Sequence, residues 1–370
     1  MIEFPVATTP APGVMGVDWE NRVDFERLRQ YRLARVKRML AEYDLGAVLL
    51  FETSNIRYAT ATQIGYWAFN KGERWALVTR EGRPRIWDFG SAAKAHRLQL
   101  PHMYDTQNSI GGNTGLQGAI GPETGLHARA VREIKSQDEI TLLTQACAMV
   151  DGVYQDIFEM LKPGVRESDI VGMAHARLFG MGSEFVEAIN SIAGERCSPH
   201  PHVFSDRIIR PGDQAYFDII HVFNGYRTCY YRTFVVGRAT QAQRDAFKRS
   251  REWMDAAIDL VKPGATTDQI AAVWPKAEDF GFADEMDAFG LQFGHGVGVG
   301  LHERPIISRL NSLETPVEIQ EGMVFALETY APAGDGRSAA RIEEEVVVTA
   351  DGCKVMTLFP CEELMVANAY

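Results

Sequence analysis

The chain has 370 residues, a hydrophobic share of 46%, a charged share of 24% and a formal charge of −11. That length predicts two domains at about 100–200 residues each, and the composition allows an ordinary core without disulfides or a structural metal. The acidic balance argues against nucleic acid and anionic membranes as partners, because both need basic footprints. Cys147, Cys197, Cys229, Cys353 and Cys361 are odd in number and form no CxxC pair. Reduced thiols and a cytoplasmic setting are therefore expected, rather than a secreted disulfide framework. The first ten residues carry no basic region and no long apolar core, so no signal peptide is expected. No run reaches the ~20 apolar residues of a membrane span.

Residues 1–22 are rich in Pro, Thr and Gly and read as an irregular arm. From Val23 to about Asp44, Leu28, Tyr31, Leu33, Val36, Met39 and Leu40 recur at helical spacing. The continuous apolar run Gly46 to Phe51 suits a buried strand. Trp75 to Thr79 reads as a second strand, and Arg85 to Asp88 follows a turn at 81–84. These elements predict a small N-terminal α/β domain over 1–125, closed by the polar, glycine-rich stretch 106–125.

The remainder, 126–370, is predicted to be the catalytic domain, and it opens with a long helix from Ile134 to about Leu161. The segment Leu161-Lys-Pro-Gly-Val-Arg-Glu-Ser-Asp-Ile170 is matched by Val261-Lys-Pro-Gly-Ala-Thr-Thr-Asp-Gln-Ile270. Each copy is expected to lead into a helix and then a Phe-Gly-x-x-x-Glu turn, at Phe179 to Glu184 and Phe280 to Glu285. Two matched anchors at one offset are hard to obtain by chance, so this domain reads as two related halves. Ala215 to Phe223, Asn224-Gly225 and Tyr226 to Val236 predict a hairpin with an Asn-Gly turn. Met323 to Tyr330 and Ala340 to Thr349 predict a second antiparallel pair. The fold class is α+β, with helices outside a curved antiparallel sheet.

Four segments set acidic or imidazole groups among apolar residues. They are Tyr216-Phe-Asp218-Ile-Ile220, Phe293-Gly-His295 through His302, Val324-Phe-Ala-Leu-Glu328 and Ala340-Arg-Ile-Glu343. A carboxylate inside an apolar strand is costly unless it is paired or binds a cation. Asp, Glu and one His together suit a divalent metal such as Fe, Mn, Zn or Co. Taken singly, a buried Glu343 is more often an ion-pair partner than a ligand. The glycine run around His295 fits neither a dinucleotide fingerprint nor a P-loop.

In this order the segments resemble the superfamily of creatinase, prolidase and methionine aminopeptidase, whose catalytic domain is the pita-bread fold. The match rests on Asp218, the strand ending Arg232-Thr-Phe234, Gly294-His295-Gly-Val-Gly, His302-Glu303, Gly322 to Glu328 and Arg341-Ile-Glu343. Upstream, Gln30 to Arg35, Ala47 to Phe51 and Asn55 to Thr60 look like a shortened form of that superfamily's N-terminal domain. They are most similar to the creatinase-like branch that holds the dimethylsulfoniopropionate lyases.

The resemblance implies a metal set of Asp218, His295, Glu328 and Glu343, with a second aspartate on the strand from Tyr226 to Thr233. Cys229 stands there instead. Three arrangements stay open: one divalent metal per chain on the carboxylates and His295, a softer site that includes Cys229, or a metal-free creatinase-like site. The plain reading of Cys229 is a small buried strand residue. The resemblance gives His302 a role in substrate binding or proton transfer, and His200 and His202 both fit the histidine expected before the Asp218 strand. It also implies a homodimer, with Tyr66, Trp67 and Trp75 near the substrate or simply in the core, and Tyr230 and Tyr231 as further contacts.

The expected activity is a metal-assisted hydrolase or lyase acting on a small amide- or onium-containing metabolite. The alternatives are a creatinase-like metal-independent C–N hydrolase, an Xaa-Pro peptidase-like dipeptidase and, more remotely, a non-catalytic binding protein.

Overall fold

The computed structural model describes residues 25–51, 53–62, 64, 74–88, 90–99, 132–288 and 293–370. The arm at 1–22, the stretch 106–125, Tyr66 and Trp67 lie outside them.

The N-terminal unit contains α1 (Phe25–Glu42), β1 (Ala47–Leu50), α2 (Thr53–Thr60), β2 (Trp75–Thr79), β3 (Arg85–Trp87) and α3 (Gly90–Gln99). Its sheet is antiparallel, in the order β1-β2-β3. The run at 46–51, expected to be buried, is only half so: Leu49 is 47% exposed and Phe51 65%. The cause is its place at the sheet edge. Val48 and Leu50 pack with Leu40, Ala59 and Val78, while the alternate side chains face away. A buried ion cluster ties the unit together, with Arg74 Nε donating to Asp88 Oδ1 at 2.7 Å and His96 Nδ1 2.6 Å from Asp88 Oδ2. Trp75 stacks on Trp87 at 6.1 Å, within this unit.

The second unit begins with α4 (Gln137–Met160). It starts three residues after Ile134 because Ser136 and Glu139 form a capping box there. Next come α5 (Glu167–Gly180), β4 (Phe185–Ala193), β5 (Gln214–Phe223) and β6 (Tyr226–Val236). The second half follows with α6 (Gln241–Leu260), α7 (Thr267–Ala271), β7 (Gly294–Gly296), β8 (Glu303–Ile307) and α8 (Arg309–Ser312). It ends with β9 (Val324–Pro332), β10 (Ala339–Val348), β11 (Cys353–Val355) and β12 (Met365–Ala367).

The duplication shows in the backbone. Gly164 N donates to Ile209 O at 2.9 Å and Ile209 N to Val165 O at 2.8 Å; the second copy makes the same pair between Gly264 and Ile319 and between Ile319 and Ala265. The halves differ in the helix that follows. In the first it is α5, whereas in the second α7 has only five residues. Pro275 lacks an amide donor and disfavours helical backbone at Trp274, so the second helix cannot continue.

The single curved sheet expected from sequence is two sheets, β12-β6-β5-β4 and β11-β10-β9-β7-β8. They meet along β6 and β10, where Thr233 Oγ1 donates to Arg341 O and Arg232 Nη1 to Glu343 O, both at 2.6 Å. One apolar core lies between the first sheet and α4–α5, the other between the second sheet and α6–α7. The predicted turn at Asn224-Gly225 is present, with φ of 47° and 84° as a type I′ turn requires.

Candidate functional site

Strand alternation builds the site. Arg341, Glu343 and Glu345 share one face of β10 because side chains repeat every two residues. On β9, Glu328 lies directly opposite Glu343 in the antiparallel register. On the other sheet, Asp218 of β5 is opposite Tyr231 of β6, and Cys229 is opposite Ile220. β7 brings His295 beside Ala326. On its other side β7 packs against β8, and Gly296 allows that contact, since a Cβ there would collide with the Arg304 carbonyl.

The result is a cluster in which Cys229 Sγ, a ring nitrogen of His295 and a carboxylate oxygen of Glu343 all lie within 4.8 Å of one another. His295 Nε2 is 3.9 Å from Glu343 Oε1, and its Nδ1 is 3.0 Å from Gly296 O. Asp218 adjoins the cluster, with Oδ1 3.5 Å from Cys229 Sγ, and accepts Asn190 Nδ2 at 2.9 Å. Glu328 is held differently: its Oε2 accepts Arg341 Nη2. All seven of these side chains are buried. The His302 ring sits edge-on to His295 with centroids 4.4 Å apart, and His302 is only half-buried.

His200 and His202, which sequence could not separate, lie together with ring centroids 3.9 Å apart. His200 bridges two phenols, Nδ1 to Tyr216 OH at 2.9 Å and Nε2 to Tyr231 OH at 3.1 Å. Asn190 Nδ2 reaches Tyr231 OH as well as Asp218, so the histidine pair connects to the cluster through Tyr231 and Asn190. The guanidinium of Arg341 lies 4.3 Å over the Tyr231 ring. Tyr230 projects elsewhere, its hydroxyl donating to Asp151 at 2.7 Å.

Behind Cys229 is a support that sequence reasoning missed. Glu345 Oε1 accepts the Cys229 amide and the Thr228 hydroxyl, each at 2.6 Å, and Glu345 Oε2 accepts the Cys147 thiol at 3.1 Å. The period-two run Arg341, Glu343, Glu345 was the available signal for one member. Its partners are remote in sequence and gave none.

Charge balance explains the electrostatics. Asp218, Glu328 and Glu343 converge with Arg341 as the paired cation. Burial, opposed by Arg341 and reinforced by Glu328, pushes Asp218 up to about 7. Burial with the neighbouring Glu328 and Asp218 charges drives Glu343 well above the ordinary carboxylate range. The Cys229 thiol is raised by burial and by the same carboxylates. Burial, then His202 and Arg341, keeps His200 well below the usual histidine range. Neither Glu343 oxygen has a hydrogen-bond partner among the described residues. A buried carboxylate left so costs several kcal/mol, on the order of 1–3 or more, unless a cation or a proton compensates it. The donor set and its excess of negative charge therefore fit a divalent cation.

The model of metallopeptidase family M24 matches residues 141–350, and the chain belongs to that family. The Xaa-Pro dipeptidase of Pyrococcus furiosus is 30% identical over 231 residues, covering 61% of this chain and 64% of that protein. The probable dipeptidase PepE of Mycobacterium tuberculosis is 32% identical over 243 residues, covering 64% of this chain and 62% of its own. The matched segments thus span less than two thirds of either relative. Among solved structures, dipeptidase PepE from Mycobacterium ulcerans superposes with a TM-score of 0.57 at 23% identity, covering 95% of this chain and all of that one. The prolidase from Pyrococcus furiosus gives 0.56 at 21% identity, covering 87% and 98%. The fold is the pita-bread fold, with the small N-terminal unit before it.

Proposed function

We propose that the chain is an M24 hydrolase that cleaves the amide bond of a small dipeptide-like substrate of the Xaa-Pro type. One observation carries the reading: Glu343, with both oxygens unbonded, lies beside His295 and Cys229, with half-buried His302 at the edge. The relatives named above are dipeptidases, which supports the amide-hydrolysing alternative over a lyase acting on an onium compound.

His295, Glu343 and Cys229, with Asp218 alongside, are the residues that would hold a divalent cation. When bound there, such a cation supplies Lewis acidity toward a scissile carbonyl. The protein's own groups do the rest. His302, half-buried with its ring edge-on to His295, would pass a proton to the leaving nitrogen, a role that imidazole suits. Asn190 and Tyr231 fix the Asp218 carboxylate and its surroundings, and Arg341 holds Glu328. Ile64 and Ala92 of the N-terminal unit cluster with Cys229, Ala188, Ile220 and Leu301 and exclude water from the sulfur side.

The test is hydrolysis of a dipeptide panel, Xaa-Pro against Xaa-Ala, by protein supplied in turn with Co(II), Mn(II), Fe(II) and Zn(II). Release of proline from Xaa-Pro is the expected result. A folded protein that cleaves no dipeptide with any of the four metals would overturn the reading.

A further inference from the structure

The two sheets do not offer a bound cation the same ligands. Glu328 Oε2 is paired with Arg341, and Asp218 Oδ2 accepts Asn190, so each of these carboxylates has one oxygen already engaged. Cys229, His295 and Glu343 bring together a mixed set of one sulfur, one imidazole nitrogen and one carboxylate, mutually within 4.8 Å. Within that set both Glu343 oxygens are fully buried and unbonded. The sulfur is also held in place from behind. Glu345 accepts the Cys229 amide at 2.6 Å and grips Thr228 beside it, which fixes the strand at the point where the side chain leaves it.

We propose that this site takes a single thiophilic divalent cation with Cys229 Sγ as a direct ligand, together with His295 and Glu343. The inference deepens the metal-holding half of the function proposed above and is independent of its substrate. A metal–sulfur bond forms as the thiol releases its proton to solvent, with no change in oxidation state. Thiolate and imidazole donors favour Zn(II), Fe(II) and Co(II), whereas Mn(II) and Mg(II) prefer oxygen. Uptake of Zn(II) and Co(II) at stoichiometric concentrations, with Mn(II) binding at least about tenfold weaker, follows from that donor set.

The experiment is a Co(II) titration of full-length, chelator-stripped protein, followed by absorbance. The expected result is saturation at one equivalent, with a thiolate-to-cobalt charge-transfer band in the near ultraviolet. Cys229→Ser should lose the band and bind Co(II) at least about tenfold more weakly, the scale on which metal-site partners act. Cys147→Ala removes the nearby thiol and should keep the band. Cobalt bound without the band overturns the proposal. So do two equivalents, a band that survives in Cys229→Ser, or no cobalt uptake at all. Should Cys229→Ser fail to fold, as judged by circular dichroism, the wild-type and Cys147→Ala spectra still decide. Dipeptide hydrolysis is read on the same samples. Hydrolysis without the band removes the sulfur ligand and leaves the dipeptidase reading intact, while a band without hydrolysis does the reverse.

Discussion

The β5–β6 and β9–β10 hairpins descend from one duplicated unit, yet they present different chemistry to the same space. The second hairpin sets two carboxylates face to face, Glu328 and Glu343, and gives one of them to Arg341. The first carries one carboxylate, Asp218, beside a thiol; Asn190 of β4 donates to that carboxylate and to Tyr231, which His200 bonds in turn. Duplication fixed where the side chains point, and substitution then decided what each hairpin offers. The difference teaches that a family-level motif locates a site without fixing its ligand chemistry.

Removing the second hairpin's open carboxylate should break the site outright. Glu343→Gln is expected to abolish stoichiometric metal uptake and hydrolysis together, read by metal analysis and proline release. His302→Ala tests the proton-transfer role separately. It should lower kcat by roughly 10²–10⁴-fold while metal content is unchanged.

Arg341→Met probes the ion pair peculiar to the second hairpin. It leaves Glu328 buried without its cation and should cost about 3–5 kcal/mol in urea unfolding. An unaltered midpoint would show that Glu328 does not depend on Arg341. Cys229→Asp makes the first hairpin resemble the second. It should improve Mn(II) binding at the expense of Zn(II), and lower metal-free stability by about 1–3 kcal/mol through an added buried acid.

The smallest effect concerns His221 on β5, which is buried between Ser183 Oγ and Ala146 O, each at 3.0 Å. Burial lowers its pKa from 6.5. As pH falls below that value the unfolded chain takes up a proton that the folded protein refuses, so stability declines toward acid. The slope from one such group reaches at most about 1.4 kcal/mol per pH unit. His221→Gln should flatten it, measured as urea midpoints between pH 7 and pH 5, and an unchanged slope would assign the acid sensitivity elsewhere.

Much of the scaffold was legible because it rests on local rules. The Lys-Pro-Gly stops, the Asn-Gly turn and strand alternation each act over a few residues, and each element they predicted is present. Pro275 is as visible in the sequence as these, yet the matched Lys-Pro-Gly anchors point to two like helices, and only the structure shows α7 cut to five residues. The exposure of Leu49 and Phe51 depends on which edge of the sheet β1 occupies, which an apolar run does not encode. At the site, the acidic and imidazole segments brought forward His295 and Glu343, and the family resemblance brought forward Cys229, but neither could show that Glu328 turns to Arg341. Nor could either supply Glu345's partner Cys147, 198 residues away. Such pairings are consequences of two sheets meeting, and no local pattern carries them.

The clustering of Ile64 and Ala92 with Cys229 has a consequence for the lifetime of the protein. A metal-binding sulfur is also a target for peroxide, and oxidation follows access. Ile64 and Ala92 of the N-terminal unit thus set hydrocarbon against a perishable atom, beside Ala188, Ile220 and Leu301. A chain cut back to residue 132 would retain every proposed ligand and age faster in air.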